Sequence, residues 1–85
     1  MTQAEIANAL RATAKGYSAQ WDLDQRISLR LMAADPAKIE ILESVPTEET
    51  DCGKTYTLIE AAGRYGKTWR ASIFDGLVYS CYPMN

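Results

Sequence analysis

The residues that could do chemistry in this chain of 85 fall into two clusters and two lone thiols. The first cluster is acidic: Glu48, Glu49 and Asp51 crowd the stretch Pro46-Thr-Glu-Glu-Thr-Asp-Cys-Gly53, with Asp22 and Asp24 further off. Paired carboxylates can hold a hard cation or share a proton. The twelve-residue calcium spacing is missing, however, and no base or nucleophile stands beside them. The expectation is a solvated loop, or an acidic arm that imitates phosphate and occupies a basic groove on a partner.

The second cluster is Gly63-Arg-Tyr-Gly66-Lys67. It resembles a phosphate-cradling loop only in outline. That motif needs a longer glycine spacing, a Lys-Ser/Thr pair and a helix after it, whereas the residues beyond Lys67 read as a strand. The expectation is a hairpin tip, with a glycine at each end to take positive φ. Tyr65 between Arg64 and Lys67 on such a tip makes a contact point, because Tyr and Arg are favoured in binding hot spots. Cys52 and Cys81 are too far apart in sequence to make a zinc site. Acidic neighbours raise a thiol pKa, which makes Cys52 a poor nucleophile. The chain has no histidine, which removes Ser-His and Cys-His pairs, a His base and His metal ligands. No catalytic residue, metal ligand or cofactor is expected.

The elements that must position these groups begin with the C-terminal third. Asp75-Gly76 lies between two runs rich in β-branched and aromatic residues, the dipeptide a type I′ hairpin turn asks for. With two residues in the turn, Ala71 would face Ser80 and Trp69 would face Tyr82. One face would carry Trp69, Ala71, Ile73, Val78 and Tyr82; the other Arg70, Ser72, Phe74, Leu77, Tyr79 and Cys81. The first, more apolar face is expected to floor the core. Phe74, Leu77 and Tyr79 would then be exposed together as a candidate interface patch.

At the other end, Thr2-Gln-Ala-Glu5 has the form of a capping box, and Ile6, Leu10, Ala14 and Tyr17 follow at helical spacing, with Ala7 and Thr13 widening the stripe. Gly16 is expected to end this helix in a left-handed conformation. Trp21 reads as a lid over one end of the core. Ile27, Leu29 and Leu31 alternate with Arg26, Ser28 and Arg30, as in a half-buried strand, though a helix through Leu23, Ile27 and Leu31 competes. After Asp35-Pro36, residues Lys38 to Val45 alternate again; a strand is favoured over a short helix begun at Pro36. Thr55 to Ala61 is β-prone by composition. The sum is an α+β fold: an N-terminal amphipathic helix packed on an antiparallel meander sheet of about five strands, one domain over residues 1–85.

Composition bounds the rest. Apolar residues make up 47% and charged residues 24%, as in a globular chain. A chain of this size buries roughly 60% of the surface its unfolded form exposes, which leaves a modest stability margin. Net charge is −2, which argues weakly against a general nucleic-acid binder. The charge is segregated: six acids against Lys38 from Asp35 to Asp51, then four bases against Glu60 from Lys54 to Arg70. No apolar run could span a bilayer and no basic start leads into a hydrophobic stretch, so a cytoplasmic protein with free thiols and no membrane contact is expected.

The favoured function is therefore non-enzymatic. The chain is expected to act by contact with a larger protein or complex, through Arg64, Tyr65 and Lys67 or through Glu48, Glu49 and Asp51, as a monomer or a homodimer. In general style it resembles small inhibitors of host defence encoded by phages and other mobile elements, anti-CRISPR proteins among them: short, compact, acidic on balance and without catalytic motifs. That resemblance is one of type, covers no particular residues, and implies an inhibitor that blocks a larger machine. The alternative is a small nucleic-acid-binding module using Arg64, Lys67 and Arg70 of the basic hairpin with exposed aromatics.

Overall fold

The computed structural model describes residues 1–16, 20–46 and 55–84, with the side chains of 43–46 left aside. Two helices, α1 (Gln3–Lys15) and α2 (Leu23–Ala34), lead through a 3-10 turn at Pro36–Lys38 into strands β1 (Glu40–Pro46), β2 (Thr55–Ala62), β3 (Thr68–Phe74) and β4 (Leu77–Pro83). The strands form an antiparallel meander in the order β1-β2-β3-β4. The α+β expectation holds, with four strands and a second helix.

Both helices start on a capping box. Thr2 Oγ1 accepts from the Glu5 amide while the Thr2 amide donates to Glu5 Oε1, and Asp22 and Gln25 do the same for α2. The Thr2 amide, and then its hydroxyl, hold the Glu5 carboxyl below its ordinary range. The helices run antiparallel, since the bonds between them pair rising positions of one with falling positions of the other. Arg11 Nη2 donates to the Ala33 carbonyl at 3.0 Å and Arg30 Nη2 to the Ala14 carbonyl at 3.4 Å. Each helix thus lends an arginine to the last turn of its neighbour, where carbonyls lack partners and the dipole favours a cation.

α2 replaces the strand expected over Arg26 to Ala33. The alternation of Ile27, Leu29 and Leu31 fits a strand, but the buried set is Ser28, Leu29, Met32 and Ala33, which is helical spacing. Leu29 goes inside while Leu31 stays 47% exposed. Between Ala34 and β1 both conformations expected for the region are present: a 3-10 turn starting at Pro36, then the strand. Ile39 is buried, whereas Ile41 beside a bulge in β1 is exposed. Gly16 ends α1 with φ −68 and ψ 136, an extended and not a left-handed cap. The expected contribution of Tyr17 to the stripe lies outside the described residues.

The core lies between the helix pair and one face of the sheet. Ile6, Leu10, Leu29 and Met32 meet Ile59, Ile73, Trp69 and Ala71, and Trp21 joins them at 8% exposure. Full burial of such aliphatic side chains stabilises by about 1.5–3 kcal/mol each. Asp75-Gly76 makes the expected two-residue turn, with Phe74 opposite Leu77 and both φ values positive, at 52 and 73. Past Val78 the register slips: Ser72 pairs with Ser80, so Tyr79 is an extra residue in β4. The bulge exchanges the faces expected downstream. Cys81 turns inward to 3% exposure and Tyr82 outward to 44%. The amide of Val78, on this edge strand, donates to Thr13 Oγ1 of α1 at 3.1 Å. No helix of the described residues is long and apolar enough to cross a membrane.

Candidate binding site

Among the described residues, the hairpin tip between β2 and β3 is the most elaborately positioned surface. Ala62 pairs with Thr68, and the Gly63 amide donates to the Lys67 carbonyl at 2.9 Å. Arg64, Tyr65 and Gly66 form the loop. Tyr65 adopts φ 64 and ψ 24 and Gly66 has φ 66, both left-handed. Glycine accepts this region freely, but a bulky aromatic residue there is an outlier.

Four bonds hold the tip against the rest of the chain. The Arg64 amide donates to Ser28 Oγ on α2 at 3.0 Å, and Ser28 is fully buried. Arg64 Nη1 meets Asp24 Oδ1 at 2.6 Å, an ion pair half open to water. The Trp69 indole Nε1–H donates to the Arg64 carbonyl at 3.2 Å. The Tyr65 hydroxyl reaches the same Asp24 oxygen at 3.4 Å, and the Arg64 guanidinium lies 4.8 Å from the centre of the Tyr65 ring. The ring stays 67% exposed. Backbone, charge and ring of the tip are thus each tied to the rest of the chain.

Gly63 is needed for a reason other than the expected positive φ. Its φ is −126, and a Cβ there would sit 2.4 Å from Cδ1 of the buried Trp69 ring. The glycine lets the chain lie flat on the indole whose N–H holds Arg64.

Arg64, Tyr65 and Lys67 are thus brought together on the tip, with Lys67 exposed. The acidic residues expected to bind, Glu48, Glu49 and Asp51, lie outside the described residues, as does Cys52. The patch of Phe74, Leu77 and Tyr79 divides. Phe74 and Tyr79 pack with Tyr56 on the helix-free face of the sheet, ring centres 5.0–6.1 Å apart. Leu77 instead lines a shallow cleft of about 230 Å³ with Ala12, Thr13, Gly16, Trp21 and Val78. Tyr56 itself is 2% exposed, and no pattern in its strand signals that this face would bury an aromatic.

Also on the helix-free face, Arg70 Nε donates to Glu60 Oε1 at 3.0 Å and its Nη2 closes on the same oxygen. The bond to Glu60 raises the guanidinium pKa above its ordinary value. Burial pushes the Cys81 thiol up to about 12, with Asp22 adding to the shift, so it is no nucleophile at neutral pH. Among the described residues no three His, Cys, Asp or Glu side chains gather as a metal site would require.

Sequence reasoning missed Asp24 and Ser28 as partners of the tip. The signal was Asp22-Leu-Asp-Gln25, a capping-box spacing that starts a helix and places Asp24 in its first turn. No protein-family model matches this chain, and no curated protein or solved structure matches it either.

Proposed function

We propose that this chain is a small non-enzymatic protein-binding domain that presents Tyr65 to a larger protein or complex. One observation carries the reading: Tyr65 is held in a left-handed conformation while its ring remains exposed. Backbone strain of this kind costs about 1–3 kcal/mol and clusters at sites where it serves function. A side chain that needed only to close a turn would be glycine, asparagine or aspartate. The docked Arg64 beneath the ring fixes its direction, so little conformational freedom is lost on binding. Blocking a larger machine is the mode of action this surface suits, in a cytoplasmic setting, with the chain acting as a monomer or a homodimer.

Nucleic-acid binding is the weaker reading. Arg64 and Arg70 are each neutralised by a carboxylate, Asp24 and Glu60, which leaves Lys67 as the cation of that trio without an ion pair among the described residues.

The test is capture of partners from a lysate of the source cell by tagged wild-type chain and Tyr65→Asn, with and without nuclease, at low and high salt. The expected result is a single protein or complex that survives nuclease and salt and is lost with Tyr65→Asn. Retention of nucleic acid that disappears with salt would replace this reading with the nucleic-acid one.

A further inference from the structure

The outer face of α2 carries a second surface that the fold does not use. At about 100° per residue, Leu23, Ile27, Leu31 and Ala34 fall on one stripe opposite the buried side of the helix. Leu23 is 63% exposed and Leu31 47% exposed, with Ile27 half-buried between them. The stripe adjoins the tip, because Asp24, which holds Arg64 and Tyr65, forms one of its borders.

Its other border is basic. Arg26 and Arg30 lie there, and neither meets a carboxylate among the described residues. Among the described residues Arg30 Nη2 donates to the Ala14 carbonyl alone, and Arg26 Nε is buried without an acceptor. Arg30 is exposed and Arg26 partly so, and with no ion pair to either among the described residues, carboxylates brought to this border from outside would find charge-assisted donors.

We infer that the outer face of α2 receives an amphipathic helix of the partner protein, with apolar residues facing the stripe and carboxylates along the Arg26–Arg30 border. Ridges at four-residue spacing are the commonest surface for helix-on-helix packing. A second copy of this chain is a poor occupant. Two antiparallel copies would line Arg26 and Arg30 of both along one border, and parallel copies would bring them to Asp24, which Arg64 already neutralises. The inference rests on the protein-contact reading and extends its surface from Tyr65 across α2.

The direct probe is a designed peptide of about 15 residues, long enough to be helical when bound. It carries leucines at i, i+4 and i+8 and glutamates along one border; a control carries lysines there. Amide chemical shifts of the whole chain should move along Leu23–Ala34 with the glutamate peptide, and Leu31→Glu should weaken binding by more than about tenfold. Arg26→Glu should reverse the preference between the peptides, with circular dichroism showing both variants folded. Shifts absent from α2, or unchanged binding by a folded Leu31→Glu, overturn the inference. Dimerisation in sedimentation that Leu31→Glu abolishes overturns it too, by making the occupant a second copy. Partner capture lost with Tyr65→Asn but kept with Leu31→Glu defeats this inference and leaves the tip reading standing.

Discussion

Two turns of the sheet have the same backbone and opposite chemistry. Tyr65-Gly66 and Asp75-Gly76 each place a non-glycine residue at positive φ followed by a glycine at positive φ. At Asp75 the residue suits the conformation, because a short polar side chain tolerates the left-handed region. That turn is exposed and needs no support beyond its own dipeptide. At Tyr65 the residue opposes the conformation, and the turn is fastened to α2 and Trp69 through Ser28, Asp24 and the indole N–H. On the proposed function, one turn serves to close a hairpin and the other to aim a ring.

The largest effect expected from breaking this contrast is at Gly63. Gly63→Ala drives a methyl into the Trp69 indole, which the core holds in place, and should cost about 1–3 kcal/mol in urea denaturation. Stability unchanged by that substitution would mean the tip is not pressed on Trp69.

Next is the pH response of the β3-β4 hairpin, whose bulge buries Cys81. The folded thiol titrates at about 12 against an ordinary 9. Below pH 9 both folded and unfolded thiols are protonated and the group contributes nothing. Above it the unfolded thiol ionises and the folded one does not, so stability falls as pH rises past 9, by about 1.4 kcal/mol at pH 10. The fall should be shallower in Cys81→Ala. Identical slopes in the two proteins would place Cys81 in water and remove the bulged register.

Moving the wrong residue into the right turn should have a smaller effect. Asp75→Tyr recreates the Tyr-Gly dipeptide without the bonds to α2, and should lower stability by about 1 kcal/mol. Smaller still is Arg64→Met, which removes the partly solvated pair with Asp24 and should cost under about 1 kcal/mol, readable in thermal melting.

Much of the fold was legible in sequence because local chemistry agreed with the global arrangement. Thr2-x-x-Glu5 began α1, Asp75-Gly76 closed the last hairpin, and Pro36 opened the 3-10 turn. α2 reads as a strand because Ile27, Leu29 and Leu31 alternate in a segment where both periods fit; the helical cap at Asp22 and Gln25 decides it. The bulge at Tyr79 carried no sequence signal, and one extra residue exchanged the faces of Cys81 and Tyr82. For the site, Arg64, Tyr65 and Lys67 were visible as a tip. Its fastening was not, because Asp24 and Ser28 approach from 40 and 36 residues away and only the packing of α2 brings them there.

The most direct test of the central claim needs no partner. Tyr65→Asn keeps the left-handed turn with a residue that accepts it, and its stability is compared with that of the unmodified chain by urea denaturation. If the ring is held against the preference of its own backbone, the variant is as stable or gains up to about 1 kcal/mol. A loss of more than about 1 kcal/mol would show that Tyr65 serves the fold, and would contradict the account.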